Sequence, residues 1–184
     1  VPPPRARHDR ELLDALEALP SGPFTGEAWR VVRAGRDPWQ GSVAAARWNP
    51  AGTVEALYTS LDRDGALAEV HYHLSLAPVF PSVEFNIYKL AVALRRVIRF
   101  DSVPALAGLG VAETDFRKRD YARSQAIGAA AHFLSCDGLI VPNARRPCLN
   151  LVIFLDMLDP NVEQRIVDEH PVDWRKWLEE QRSS

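Results

Sequence analysis

The sequence predicts a single domain of mixed α/β (α+β) class, with a small central mixed sheet flanked by helices. Three observations predict it. The chain has 184 residues, of which 47% are apolar and 25% charged, which suits one folded domain with a core of ordinary size. Segments with helical spacing and segments with strand alternation are interleaved, giving roughly five strands and five helices. The first two strands are separated by a long loop rather than a helix, and no GxGxxG follows any strand, which sets aside a regular βαβ succession and a Rossmann-type dehydrogenase.

Taken in order, residues 7–19 place Leu12, Leu13, Leu16 and Leu19 on one helical stripe. Pro20-Ser21-Gly22-Pro23 is expected to end that helix and serve as a linker to a strand at 29–33. Residues 34–46, with Gly35, Pro38 and Gly41, read as a loop. Arg47-Trp48-Asn49-Pro50 leads through Gly52 into a strand at 55–60. Asp62 or Asp64 caps a helix running to about Leu76, and Pro78 and Pro81 stop it. Residues 83–100 read as a long strand, with Tyr88, Leu90, Val92 and Leu94 on one face and a bulge at Arg95-Arg96. Asp101 or Ser102 caps a short helix ending at Gly108 or Gly110, and the charged residues 113–121 form a loop. Residues 122–135 form a helix rich in small side chains. The apolar runs at 139–142 and 149–155 are buried strands, and residues 160–182 read as one or two polar helices carrying Trp174 and Trp177.

Composition narrows the functional class. A formal net charge of -2 lacks the basic excess that releases counterions from nucleic acid, so no direct nucleic-acid binding is expected. Cys136 and Cys148 form neither a CxxC pair nor a zinc site, and the histidines show no ligand spacing, so no metal is expected. A reducing, cytoplasmic setting is the default for such a chain. No apolar run approaches the length of a membrane span.

Several residues can carry chemistry. Arg47 presents a planar fork suited to phosphate oxygens, Trp48 a flat ring, and Pro50 and Gly52 shape a turn that would hold both in a pocket. The alternative is a surface turn whose Trp packs into the core. Tyr58, at a strand end, offers an apolar face with a polar tip, or is a core tyrosine with its hydroxyl at the surface. Glu69 lies beside the apolar stripe of its helix, with Gly65 and Ala66 one turn before it, which leaves room for a ligand to reach the carboxylate. Its alternative is a solvated glutamate paired with His73. Ser124 and Gln125 sit at a helix start where a diphosphate or ribose would be favoured, while Gly128 and the neighbouring alanines equally suit close packing.

In this order, the residues resemble the RES domain family of toxins from RES–Xre type toxin–antitoxin pairs. The resemblance rests on Trp29-Arg30, the RWNP turn with Gly52, Tyr58, Glu69, the segment Ser124-Gln125-Ala126-Ile127-Gly128, and Gly138-Leu139-Ile140-Val141-Pro142-Asn143. It spans about residues 28–155, leaving the helix at 7–19 and the tail at 160–182 as extensions of one domain over 1–184. It implies an ADP-ribosyltransferase-like fold and NAD as a substrate, with the nicotinamide–ribose bond cleaved and ADP-ribose passed to a protein acceptor. Hydrolysis or phosphorolysis of NAD is the alternative, and a non-catalytic nucleotide- or protein-binding module a second one. It further implies Arg47, Tyr58 and Glu69 as catalytic residues. Arg30, Trp48, Asn49, Ser60, Ser124, Gln125 and Asn143 would bind NAD. A cognate antitoxin of the Xre, helix-turn-helix type is the implied partner, with the extensions serving that interface or a homodimer. One departure stands out: many members have serine after the Val-Pro of the late strand, where this chain has Asn143.

Overall fold

The computed structural model describes residues 9–116, 118 and 120–183. Helix α1 spans Arg10–Glu17, and the Asp9 carboxylate caps it by accepting from the Glu11 amide at 3.0 Å. It is shorter than the expected 7–19 span, and Arg7 and His8 lie outside the described residues. Leu12 and Leu16 bury its apolar stripe against the core.

Strand β1 covers Ser21–Arg33 and pairs antiparallel along nearly its whole length with β3, Phe85–Arg99. All of the expected linker but Pro20 is therefore the start of a strand. Its prolines hid it, but Pro23 falls where the register slips: one residue of β1 faces Arg95 and Arg96 of β3 between the pairs Gly22↔Val97 and Phe24↔Leu94. A bulge leaves such a position outside the regular ladder, so the missing N–H of proline is tolerated there. The bulge itself lies at the expected Arg95-Arg96.

Strand β2 (Ala56–Ser60) leads into α2 (Arg63–Ser75), whose cap is Asp62: its carboxylate accepts from the Gly65 amide at 2.7 Å. Removing that acceptor in Asp62→Ala is expected to cost about 1 kcal/mol, read as a lower urea midpoint at unchanged slope. A 3-10 turn at Pro104–Leu109 ends at Gly110 in the left-handed conformation, and a short helix α3 (Glu113–Phe116) interrupts the expected charged loop. Helix α4 runs over Ala122–Phe133. Strands β4 (Gly138–Pro142) and β5 (Leu149–Phe154) follow.

The tail departs from the expected helices. Its first half is a strand, β6 (Arg165–Pro171), paired antiparallel with β3, and only then comes α5, Trp174–Ser183. All seven β6 residues are exposed, so the strand buries no alternating apolar face and carries no period of two for a sequence reading to detect. Helix α5 docks on the first turn of α2, where the Trp177 indole donates to Asp64 at 3.1 Å.

The strand order is β1-β2-β5-β4-β3-β6, and the β1–β3 pairing joins the first five strands into a ring. Among the described residues only β3 and β4 run parallel, which makes the sheet mixed. Leu57, Leu90, Ile140 and Ile153 belong to one apolar cluster, while Leu139, Val141, Val152 and Phe154 face a second one under α1 and α4. Strands β4 and β5 are thus buried on both faces, which is why they read as unbroken apolar runs. A third cluster, with Leu67, Ile87 and Trp177, seats α2 and α5.

Candidate active site

A cavity of about 310 Å³ opens between β1, β2, α2 and the loop after β4. That volume is at the lower end of the range for small-ligand sites and suits one half of a dinucleotide. Its walls include Arg30, Arg47, Trp48, Tyr58, Ser60 and Glu69. Six residues singled out from the sequence are thereby brought together.

The Arg47–Asn49 turn is built by side chains that the sequence placed in the site. Asn49 is fully buried and does not line the cavity. Its amide donates to the Ala44 carbonyl at 2.9 Å, and its Oδ1 accepts from the Tyr58 hydroxyl at 2.7 Å. The same hydroxyl accepts from the Trp48 amide at 2.8 Å. Tyr58 therefore spends its polar tip on the turn and shows its ring to the cavity. Burial pushes its phenol pKa far up, so it stays protonated at neutral pH and is no base. Gln125 braces the turn from α4, donating to the Ala46 carbonyl at 2.9 Å. Gly128 lets the helix lie directly on the Trp48 backbone. Gln125 does not line the cavity, and Ser124 lines a separate recess beside Gly110 and Arg123.

Two guanidinium groups are fixed with little help from carboxylates. Arg47 donates to the Phe116 carbonyl at 2.6 Å and lies 4.6 and 4.5 Å from the ring centroids of Phe116 and Tyr121. Burial is the largest cause lowering its pKa. Arg30 donates to the carbonyls of Tyr58 at 3.0 Å and Gln40 at 2.8 Å, while its Nε is buried without a partner among the described residues. Burial lowers its pKa to about 10, a shift that Asp37 partly opposes, so it stays charged at neutral pH. Desolvated cations of this kind favour an anionic ligand, because the missing hydration is restored by charge-assisted hydrogen bonds.

Glu69 is aimed at the cavity by α2. A Cβ on Gly65 would lie 2.6 Å from Ser60 Oγ and 2.5 Å from Cys148 Sγ, so only glycine lets the first turn of the helix sit this close to β2. One oxygen of Glu69 accepts from the Ala144 amide at 3.3 Å and from Asn150 at 3.4 Å. Asn150 accepts from Asn143 at 2.9 Å, and Asn143 also receives the Arg145 and Arg146 amides at 2.7 and 3.1 Å. Asn143 is buried and does not line the cavity; it holds the loop whose amide reaches Glu69. The Asn143 oxygen accepts two backbone N–H groups while its NH2 donates both to Asn150 and to the Gly65 carbonyl at 3.4 Å, one donor more than a serine hydroxyl has.

The sequence reading missed Asn150, Arg145, Tyr121 and His73 on the cavity wall. For Asn150 a signal was present: a lone polar side chain inside the apolar run Leu149–Leu155. Arg145, in a short loop, gave none.

Comparison with known proteins bears on the fold and the family. The model of the RES domain matches residues 27–175, which reaches past 155 to take in β6 and the start of α5. The chain is 24% identical over 143 residues to proteins named NAD(+) phosphorylase MbcT from Mycobacterium tuberculosis and Mycobacterium bovis, covering 74% of this chain and 77% of theirs. It superposes with a TM-score of 0.83 on a chain from the crystal structure of the M. tuberculosis MbcT–MbcA toxin–antitoxin complex. That match covers 96% of this chain and 99% of the other at 20% identity, a likeness of fold.

Proposed function

The chain belongs to the RES domain family, and on that premise we propose that it is the NAD-consuming toxin of a toxin–antitoxin pair, splitting NAD with phosphate as acceptor. The observation that carries the reading is the Glu69 carboxylate, held by the Ala144 amide and Asn150 on the wall of a cavity that also presents Arg30 and Arg47. In NAD the ribose is bonded to a cationic nicotinamide. As that bond lengthens its electron pair returns to the ring nitrogen, and positive charge develops on the sugar. A fixed carboxylate stabilises that charge more than the ground state, and so lowers the barrier. The arginines anchor the diphosphate and fix the sugar in position, and the Tyr58 ring offers a flat face to nicotinamide.

The relatives are named as phosphorylases, which favours phosphate over the protein acceptor that the resemblance implied. A phosphate oxygen would form the new bond to the anomeric carbon as the bond to nicotinamide breaks. The structural neighbour comes from a toxin–antitoxin complex, which supports an antitoxin as partner here. The test is to incubate the purified protein with labelled NAD, with and without phosphate, and with lysate. The phosphate ester of ADP-ribose is the expected product. Free ADP-ribose at the same rate in both buffers would mean hydrolysis, and label on a lysate protein would mean transfer.

A further inference from the structure

We propose that the loop after β4 carries a second binding site, for an anion of the phosphate class, with the Arg145 guanidinium as its principal ligand. The inference rests on the reading of the Glu69 cavity as an NAD-cleaving site and adds to it a residue and a space. A second cavity of about 480 Å³ lies on the other side of this loop, between it and residues 101–116. Pro142, Ala144 and Arg145 wall both cavities. The two spaces therefore meet at the segment whose Ala144 amide holds Glu69.

Arg145 is placed there by stacking. Its Cζ lies 3.4 Å from the centroid of the Tyr72 ring, and its backbone amide is pinned to Asn143 at 2.7 Å. Its Nε is buried with no hydrogen-bond partner among the described residues. A ring face orients a guanidinium but does not satisfy its N–H groups, which prefer the two oxygens of a phosphate or carboxylate. The Arg145 charge is also felt by Arg47 at the first cavity, where it adds to the lowering caused mainly by burial. Two like charges facing adjoining spaces are relieved by an anion bound between them. Arg146, held by Gln181 of α5, adds a further positive charge to the second cavity. The opposite wall carries Glu113 and Asp101, the latter paired with Arg99 at 2.6 Å, and these acids confine an anion to the Arg145 side.

This chemistry has two sources, inorganic phosphate entering as acceptor or the diphosphate of the dinucleotide. Direct titrations of the protein with inorganic phosphate and, separately, with ADP-ribose distinguish them, and neither requires turnover. Arg145→Ala is expected to weaken one of the two by about tenfold or more, with Arg145→Lys falling between, since it keeps the charge and loses the fork. A weaker phosphate titration assigns the site to the acceptor; a weaker ADP-ribose titration alone assigns it to the diphosphate. Unchanged binding of both in Arg145→Ala of wild-type Tm, or no binding of either by the unaltered protein, overturns the proposal. Should Arg145→Ala not fold, Tyr72→Leu, which removes the stack that orients the guanidinium, decides by the same two titrations. Because no NAD is consumed, a protein that releases no nicotinamide defeats the functional reading without deciding this one.

Discussion

Replacing Glu69 with glutamine is expected to lower the rate of nicotinamide release by about 10²–10³-fold while leaving the fold unchanged. The substitution removes a charge and little else. Glutamine keeps the shape of the side chain, and its carbonyl oxygen still accepts from the Ala144 amide and from Asn150. What is lost is the negative charge facing a sugar that becomes positive only as the bond breaks. The effect should therefore fall on kcat, with a smaller change in KM, because the interaction is made chiefly in the transition state. Steady-state kinetics beside a thermal melt check this. A kcat within a few-fold of the unaltered protein would remove Glu69 from the chemistry.

Gly128→Ala should be the most damaging small change to the fold. A Cβ at that position would lie 1.7 Å from the Trp48 carbonyl oxygen and 2.7 Å from its carbonyl carbon. Both are backbone atoms, so relief requires α4 to move away from the Arg47–Asn49 turn as a body. Overpacking of this kind costs about 3 kcal/mol, which for a chain of this size lowers Tm by roughly 6–12 °C. The turn that carries Arg47 would shift with it, so NAD cleavage should fall as well. Gly108→Ala is the control: among the described residues nothing lies within 4 Å of its added Cβ, and its melt should be close to that of the unaltered protein. Equal melts for the two variants would show that α4 does not rest on the turn as closely as described.

The parts of the fold that were legible in the sequence are those whose burial leaves a period. Strands β4 and β5 appear as apolar runs because both faces are covered, and α2 announces itself through the Asp62 cap and the prolines that follow. Strand β6 left no trace because none of its residues is buried, and the start of β1 was masked by Pro20 and Pro23. In the site, Arg47, Tyr58 and Glu69 stood out through their order along the chain. Their surroundings did not. That Asn49, Gln125 and Asn143 brace the site from behind its walls depends on which way each side chain turns, and spacing cannot show this. Arg145 reaches the cavity from a loop, where no periodicity assigns a face.

The central claim is that the cavity bounded by Arg47, Tyr58 and Glu69 breaks the nicotinamide–ribose bond of NAD. Its most direct test is the time course of nicotinamide release from NAD by the purified protein in phosphate buffer, with Glu69→Gln run in parallel. Many turnovers by the unaltered chain, and a rate reduced by two orders of magnitude or more in the variant, are expected. No nicotinamide released by the folded, unaltered protein, with or without phosphate, would contradict it.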